Sequence, residues 1–345
     1  MRGLRRLAVC GVALVIGVAS AAGADESRLI DPPGARELTP AELRARPAPF
    51  PAPVGERLRY AVSYWGLPLG TAEIEVLRYL ELEGRRFAHI GARAETYPAF
   101  AWIYRVRDRA EALIDLDRVR TRISRTRMEH RRRRIYEEIA FDWETHFVKV
   151  LRERRHSGSG REVAFDFGPF AHDPLDLVYS LRRDPELGAG TVELPVYASR
   201  KIQGLRLVPA GRELVRTRAT QRIPALRLHP EVRIDGQPRD DRGRGVLWIA
   251  AEGQRIPLRL AGWFRGSDDF RIGGVRAELV EYVPAAPGWE AVGGAGPAPS
   301  AAARRGAPSA VEGRPVWDVP EEIARLRHSR GIVERDERFR VAAGR

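Results

Sequence analysis

Through the middle of the chain, apolar residues recur at every second position. Leu58, Tyr60, Val62 and Tyr64 alternate with Arg57, Arg59, Ala61 and Ser63. This is the period of a strand with one buried face. Gly66 to Gly70 reads as a turn, and beyond it Ala72, Ile74 and Val76 alternate with Glu73 and Glu75. Glu83-Gly84-Arg85 turns the chain into Phe87 to Glu95, where Ala88, Ile90, Ala92 and Ala94 share a face. Tyr104, Val106, Ala110, Ala112 and Ile114 then oppose Arg105, Arg107, Arg109 and Glu111. Ile135, Ile139, Phe141 and Trp143 share one parity, and His146 to Leu151 and Val163 to Phe167 continue the pattern. It returns at Thr191–Val196, Gly204–Val208, Glu213–Ala219, Ala225–Leu228, Val246–Ile249, Gln254–Leu260 and Val275–Tyr282. Pro257, inside one of these, marks an edge or a bulge. Short strands between turn signals about 8–12 residues apart predict an antiparallel arrangement, not a βαβ fold. The expected fold class is mainly β: a strongly curved antiparallel sheet or open β-barrel with one short helix packed on it.

The spacing places that helix at Asp173–Arg183. Asp173 is the N-cap, Pro174 takes the first helical position, and Arg182 and Arg183 fill the last turn. Leu175, Val178 and Leu181 form an apolar stripe that should plug or cover the sheet.

The flanks follow other rules. Arg2, Arg5 and Arg6 precede the uncharged run Leu7–Ser20, and Ala22-Gly23-Ala24 precedes Asp25. Residues 1–24 therefore read as a cleavable signal peptide directing the chain to the periplasm, with no transmembrane helix left after cleavage. Residues 25–54 form a Pro/Ala/Arg-rich leader that covers the fold or stays mobile. Thr39, Pro40 and Glu42 in it have the spacing of a helix-starting capping box. Residues 55–283 are the β-domain, 284–315 a flexible Ala/Gly/Pro linker, and 316–345 a polar tail with a short helix at Pro320–Leu326.

Composition removes several chemistries. Lys149 and Lys201 are the only lysines, and neither stands in a Gly-Lys-Ser/Thr phosphate loop. The single Cys10 excludes a disulfide framework, a Cys-based zinc site and an iron–sulfur cluster. None of the seven histidines forms His-x-x-x-His. Ser157-Gly158-Ser159-Gly160 lacks the spacing of a nucleophile elbow and reads as a hairpin loop. Asp115 with Asp117, and Asp268 with Asp269, sit in turns. No catalytic residue, metal ligand or cofactor is expected.

Two sets of side chains remain as binding candidates. Arg131, Arg132, Arg133 and Arg134, in a chain of net charge +13, form an anion surface suited to acidic lipid head groups or polysaccharide. No aromatics alternate with them, so nucleic acid is not the expected partner. Tyr60, Tyr64, Tyr104, Phe141 and Trp143 fall on the apolar parity of their strands. They read either as packed core or as the lining of a concave cavity.

Gly55-Glu56-Arg57-Leu58-Arg59-Tyr60 and the following strand entered through Gly70 resemble the opening of the bacterial exported domain-of-unknown-function family 3108. The similarity continues through Asp173–Arg182, Val246–Ile249, Arg255–Leu258 and Gly274–Leu279. That family is exported and brings no catalytic motif with it. The expected role is a non-catalytic cell-envelope binding module for an apolar or amphipathic, lipid-like ligand. The alternatives are a scaffold or protein-interaction module with a fully packed sheet and, third, a hydrolase of envelope glycans or lipids.

Overall fold

The computed structural model describes residues 28–290 apart from 103–104, 131–132, 155–158, 168–169, 199–200, 235–236, 239–242 and 266–270. The signal, the tail and most of the expected linker lie outside these residues.

The leader contributes β1 (Arg36–Glu37) and α1 (Pro40–Ala45). The Thr39 hydroxyl accepts from the Glu42 N–H, and the Glu42 carboxylate accepts from the Thr39 N–H, completing the expected capping box. Eight long strands follow: β2 (Arg57–Tyr64), β3 (Leu67–Leu82), β4 (Arg85–Thr96), β5 (Val106–Asp115), β6 (Thr121–His130), β7 (Arg133–Asp142), β8 (Phe147–Arg154) and β9 (Ser159–Asp166). Helix α2 (Pro174–Arg183) separates them from β10 (Val192–Ala198), β11 (Lys201–Val215), β12 (Ile223–Ile234), β13 (Gln237–Pro238), β14 (Gly243–Ala250), β15 (Pro257–Arg265) and β16 (Arg271–Val283).

One antiparallel sheet holds them in the order β10-β11-β12-β14-β15-β16-β2-β3-β4-β5-β6-β7-β8-β9, with β1 on β3 and β13 on β12. The first long strand thus lies beside the last: Arg57 opposes Val283, and Tyr64 opposes Val275. The outer strands β9 and β10 do not pair, so the sheet is not closed. It is nevertheless curled. The His172 N–H, just beyond β9, donates to the Pro195 carbonyl of β10 (2.8 Å), and the Tyr197 N–H donates back to His172 (2.7 Å). Tyr197 also meets Phe141 of β7 edge to face, 6.3 Å between ring centres.

Inside this curl lies α2. Leu177 and Leu181 pack with Val196, Leu205, Leu226, Leu228, Leu247 and Ile249. Tyr179 joins Leu58, Tyr79, Ile90, Ala112, Ile114 and Leu258. The small inner residues of β4 and β5, Ala88, Ala92, Ala110 and Ala112, leave the space that the helix and leader occupy. The helix buries more than the stripe its sequence predicts. Leu181 is buried, but Leu175 and Val178 are only half-buried, while Asp176, Leu177, Tyr179 and Arg182 are enclosed. A helix surrounded by a curved wall meets protein on several sides, so no single stripe describes it.

The leader packs on both faces of the sheet. Phe50 lies against Tyr179 (4.7 Å between rings) inside, and Ile30 covers Leu80, Leu82, Phe87 and Leu113 outside. The opening of the expected linker is fastened as well. The Ala286 N–H donates to Val54, and Trp289 meets Tyr79 edge to face at 5.4 Å.

Three local differences from the sequence pattern have simple causes. The expected turn Gly66–Gly70 shrinks to Trp65–Gly66, both at positive φ (51° and 80°), and Leu67–Gly70 is already strand. The stretch read at 204–208 and the first part of that read at 213–219 are one strand, β11, which ends at Val215 and whose alternation is interrupted by a bulge between Pro209 and Arg212. Pro257 opens β15 opposite a register shift at Trp248/Ile249, the bulge option of its reading.

Candidate ligand-binding lumen

Directly opposed residues of antiparallel strands place their side chains on the same face, so the registers trace the concave wall. Near α2 that wall is dry: Ile90, Ala92, Ala112, Ile114, Ile139 and Val150 are all buried. Toward the end that carries the Trp65–Gly66 turn, the same face changes character. Val62 and Tyr64 on β2, Thr96 on β4, Val106 and Asp108 on β5, Thr126 and Met128 on β6, Ile135 and Glu137 on β7 and Arg152 on β8 are all half-buried. Across from Tyr64 the wall continues through Val275 to Gly262 and Gly245, which add no side chain.

Two ion pairs stand among these residues. His130 Nε2 lies 2.8 Å from Asp108 Oδ2, and an Arg152 guanidinium nitrogen lies 3.1 Å from Glu137 Oε2. Between and beside these pairs stand Val62, Tyr64, Val106, Met128 and Ile135. A wall of this kind offers an apolar chain contact surface and offers a polar head group hydrogen-bonding partners.

The aromatic candidates read from the sequence separate into different places. Tyr64 lies on the half-solvated wall. Tyr60 belongs near α2, where its hydroxyl donates to the Pro257 carbonyl (2.9 Å) and burial raises its pKa above the usual tyrosine value. Phe141 has no exposed surface. It stacks on Trp143 at 5.6 Å and meets Phe167 edge to face, in a cluster with Val148, Val150 and Tyr197. The Trp143 indole donates to the Thr121 carbonyl, and the Arg120 guanidinium lies over its ring at 4.4 Å. Tyr104 lies outside the described residues. Of the arginine run, Arg131, Arg132 and the Arg133 side chain also lie outside them, and Arg134 is exposed, 3.4 Å from Glu129. The sequence reading did not name Val62, Val106, Asp108, Thr126, Met128, His130, Ile135, Glu137 or Arg152 as lining of a cavity. Among the described residues, no group of three or more His, Cys, Asp or Glu is placed to hold a metal ion.

Two enclosed polar clusters fix α2 within the curl. The Arg182 guanidinium spans both Glu56 oxygens (2.5 and 2.7 Å) and also donates to the carbonyls of Gln254 and Pro51. Burial alone would lower the Arg182 pKa, but the Glu56 carboxylate outweighs it and raises it. At the other end of the helix, Asp176 accepts from the Thr121 N–H (2.7 Å) and lies 2.6 Å from His172 Nδ1. The Asp173 cap is fully enclosed. Burial, reinforced by the nearby Asp176 carboxylate, raises its pKa from 3.8 to about 7.

A raised folded-state pKa means that the native protein keeps a proton the unfolded chain releases near 3.8. The resulting stabilisation is complete below about pH 4 and is lost as pH rises to about 7. Asp173→Asn retains an N-cap acceptor and removes the titration. Unfolding midpoints measured from about pH 4 to about pH 8 should therefore fall more steeply for the wild type than for the variant. Parallel curves would show Asp173 ionised throughout.

Comparison with known proteins adds a family. A profile described as "Protein of unknown function (DUF3108)" matches residues 59–279. The chain belongs to the DUF3108 family. The match takes in β2 through most of β16, including α2 and every described residue of the half-solvated wall. No curated protein matches the chain. Among solved structures, this DUF3108 chain is similar to a β-barrel-like DUF1849 protein of Brucella abortus, with 10% identity over 68% of this chain and 99% of that one and a TM-score of 0.44. A candidate lipoprotein of Parabacteroides distasonis matches with 9% identity over 68% and 98%, TM-score 0.29. A candidate exported protein of Bacteroides fragilis with a YmcC-like fold matches with 6% identity over 68% and 98%, TM-score 0.26. Among the described residues, no helix is long and apolar enough to cross a membrane.

Proposed function

We propose that this DUF3108 protein is an exported, non-catalytic binding module of the cell envelope that holds an apolar or amphipathic, lipid-like ligand in the half-solvated part of its curled sheet. The observation carrying this reading is the change along one face: fully buried beside α2, half-buried from Asp108, Thr126 and Glu137 outward. A fully packed scaffold would have no reason to leave Val62, Tyr64, Val106, Met128 and Ile135 partly open while neighbours on the same strands are enclosed. Apolar surface taken from water contributes about 25 cal/mol per Å², so an acyl chain along this wall needs no sequence motif for its affinity. Export rests on the order of charged, apolar and small residues in the first 24 positions.

Native mass spectrometry of the protein gently extracted from the envelope of the producing cell should show a chain beginning at or near Asp25 with a lipid-sized adduct. A fluorescent fatty-acyl probe in solution should bind the purified protein saturably, and Met128→Arg should weaken that binding by roughly tenfold or more by placing a charge on the apolar wall. A full-length chain in the cytosol would remove the export part of the reading. A folded protein with no adduct and no saturable probe binding would leave the packed scaffold in its place.

A further inference from the structure

The open end of the sheet carries a second, outward-facing feature that the lumen does not explain. Among the described residues, five large apolar side chains are exposed, and three of them sit here: Trp65 (63% exposed), Leu67 (57%) and Trp102 (79%). Trp65 lies in the β2–β3 turn, Leu67 is the first residue of β3, and Trp102 lies in the neighbouring β4–β5 connection. The two connections are tied together, because the Tyr97 N–H donates to the Leu69 carbonyl (2.8 Å) and Gly70 pairs with Thr96.

Neither tryptophan is placed where local folding would prefer it. Trp65 sits at φ 51° in a two-residue turn, a left-handed position that is unfavourable for a bulky L-residue and that Asn or Gly would fill more easily. Trp102 satisfies its indole N–H within its own turn, donating to the Ala99 carbonyl (2.9 Å), and its ring remains in solvent. Leu67 opposes Tyr64, so the apolar strip runs from the lumen wall to the tip. Cations stand to one side of the tip. Arg105 follows the Trp102 turn directly, and Arg127 and Arg134 stand on the nearby β6–β7 hairpin, all three exposed, Arg134 beside Glu129 at 3.4 Å. Indole rings favour the head-group level of a bilayer, with an apolar body and a polar edge. Guanidinium groups match phosphate in charge and geometry.

We propose that this end of the curled sheet docks on an anionic phospholipid surface, Trp65, Leu67 and Trp102 entering the interface and Arg105, Arg127 and Arg134 engaging head-group phosphates. The proposal rests on the rim residues alone. If the lumen holds an acyl chain, docking would also set its mouth against the membrane that supplies or receives it.

The test is flotation of the mature chain with vesicles of phosphatidylcholine alone or mixed with phosphatidylglycerol. The wild type should float with the mixed vesicles, more weakly with the neutral ones, and less at high salt. Trp65→Asn combined with Trp102→Ser should lose roughly tenfold or more of the vesicle affinity. The asparagine suits the left-handed position, and an unchanged unfolding midpoint would confirm that this double variant is folded. Arg105→Ala with Arg127→Ala and Arg134→Ala should abolish the difference between mixed and neutral vesicles. Leu214→Ser, an equally exposed apolar site on β11, should change nothing. The assignment is overturned if the wild type floats with neither vesicle, if the tryptophan variant floats like the wild type, or if Leu214→Ser is as damaging. It is also overturned if sedimentation without lipid shows a dimer that the tryptophan changes dissolve. Because the soluble acyl probe needs no vesicle, its continued binding by the tryptophan variant separates failure of docking from failure of the lumen.

Discussion

Replacing Arg182 with alanine is expected to lower the unfolding free energy by about 3–5 kcal/mol, read from urea denaturation followed by tryptophan fluorescence. Neither Arg182 nor Glu56 has appreciable exposed surface (0% and 1% for the side chains). The guanidinium ties α2 to two segments distant from it in sequence: the stretch from Pro51 to Glu56, and the β14–β15 turn through Gln254. Removing it leaves the Glu56 carboxylate enclosed without its cation, and that uncompensated charge, more than the lost attraction, dominates the cost. Glu56→Gln combined with Arg182→Met should accordingly recover part of the loss. A fall below about 1 kcal/mol for Arg182→Ala would mean that water reaches Glu56 and that the helix is not held from inside.

Phe141→Ala should cost a similar amount, about 3–5 kcal/mol, because a ring with no exposed surface is removed from among three aromatic neighbours that cannot all close the gap. The contact with Tyr197 makes this ring one of the links holding β7 to β10 across the open seam. Tyr64→Ala, on the half-solvated wall, should behave oppositely, changing stability less and weakening the acyl probe more. Differential scanning calorimetry on both variants, paired with probe titration, separates the two roles. If Phe141→Ala were nearly neutral for stability, the aromatic cluster would be a yielding wall and not a packed one.

The strands were most legible where one parity is small and apolar and the other charged, as in Ala88–Ala94 against Arg93 and Glu95, or Ala110–Ile114 against Arg109 and Glu111. Both helix starts were legible from capping chemistry alone, at Thr39 and Asp173. The alternation rule finds no strand at Thr121–His130, although β6 is ten residues long and central to the wall. Its inward positions are Ser124, Thr126, Met128 and His130, too polar to register as a buried face. They are polar because beyond Ser124 this stretch lies on the half-buried part of the wall. The feature that hid the strand is therefore the feature that marks the candidate site. The Glu56–Arg182 pair was invisible for another reason: 126 residues separate its members, and no periodicity reports an encounter at that distance. The aromatic parity of Tyr64 and Phe141 was real, but parity assigns a face and not a position along the lumen axis. That is why one lies on the wall and the other in the core.

The ladder between β2 and β16 sets a condition on how the protein is made. Arg57 must find Val283, and Tyr64 must find Val275, so the chain's earliest long strand waits for its latest. At ordinary synthesis rates the interval is on the order of ten seconds or more. Throughout it, Leu58, Tyr60, Val62 and Tyr64 belong to a strand with an unoccupied edge, open to pairing with another copy. Contacts this remote in sequence also slow the final search. The curled sheet is thus a structure that a growing or translocating chain cannot complete in instalments, and its most vulnerable moment comes just before the last strand arrives.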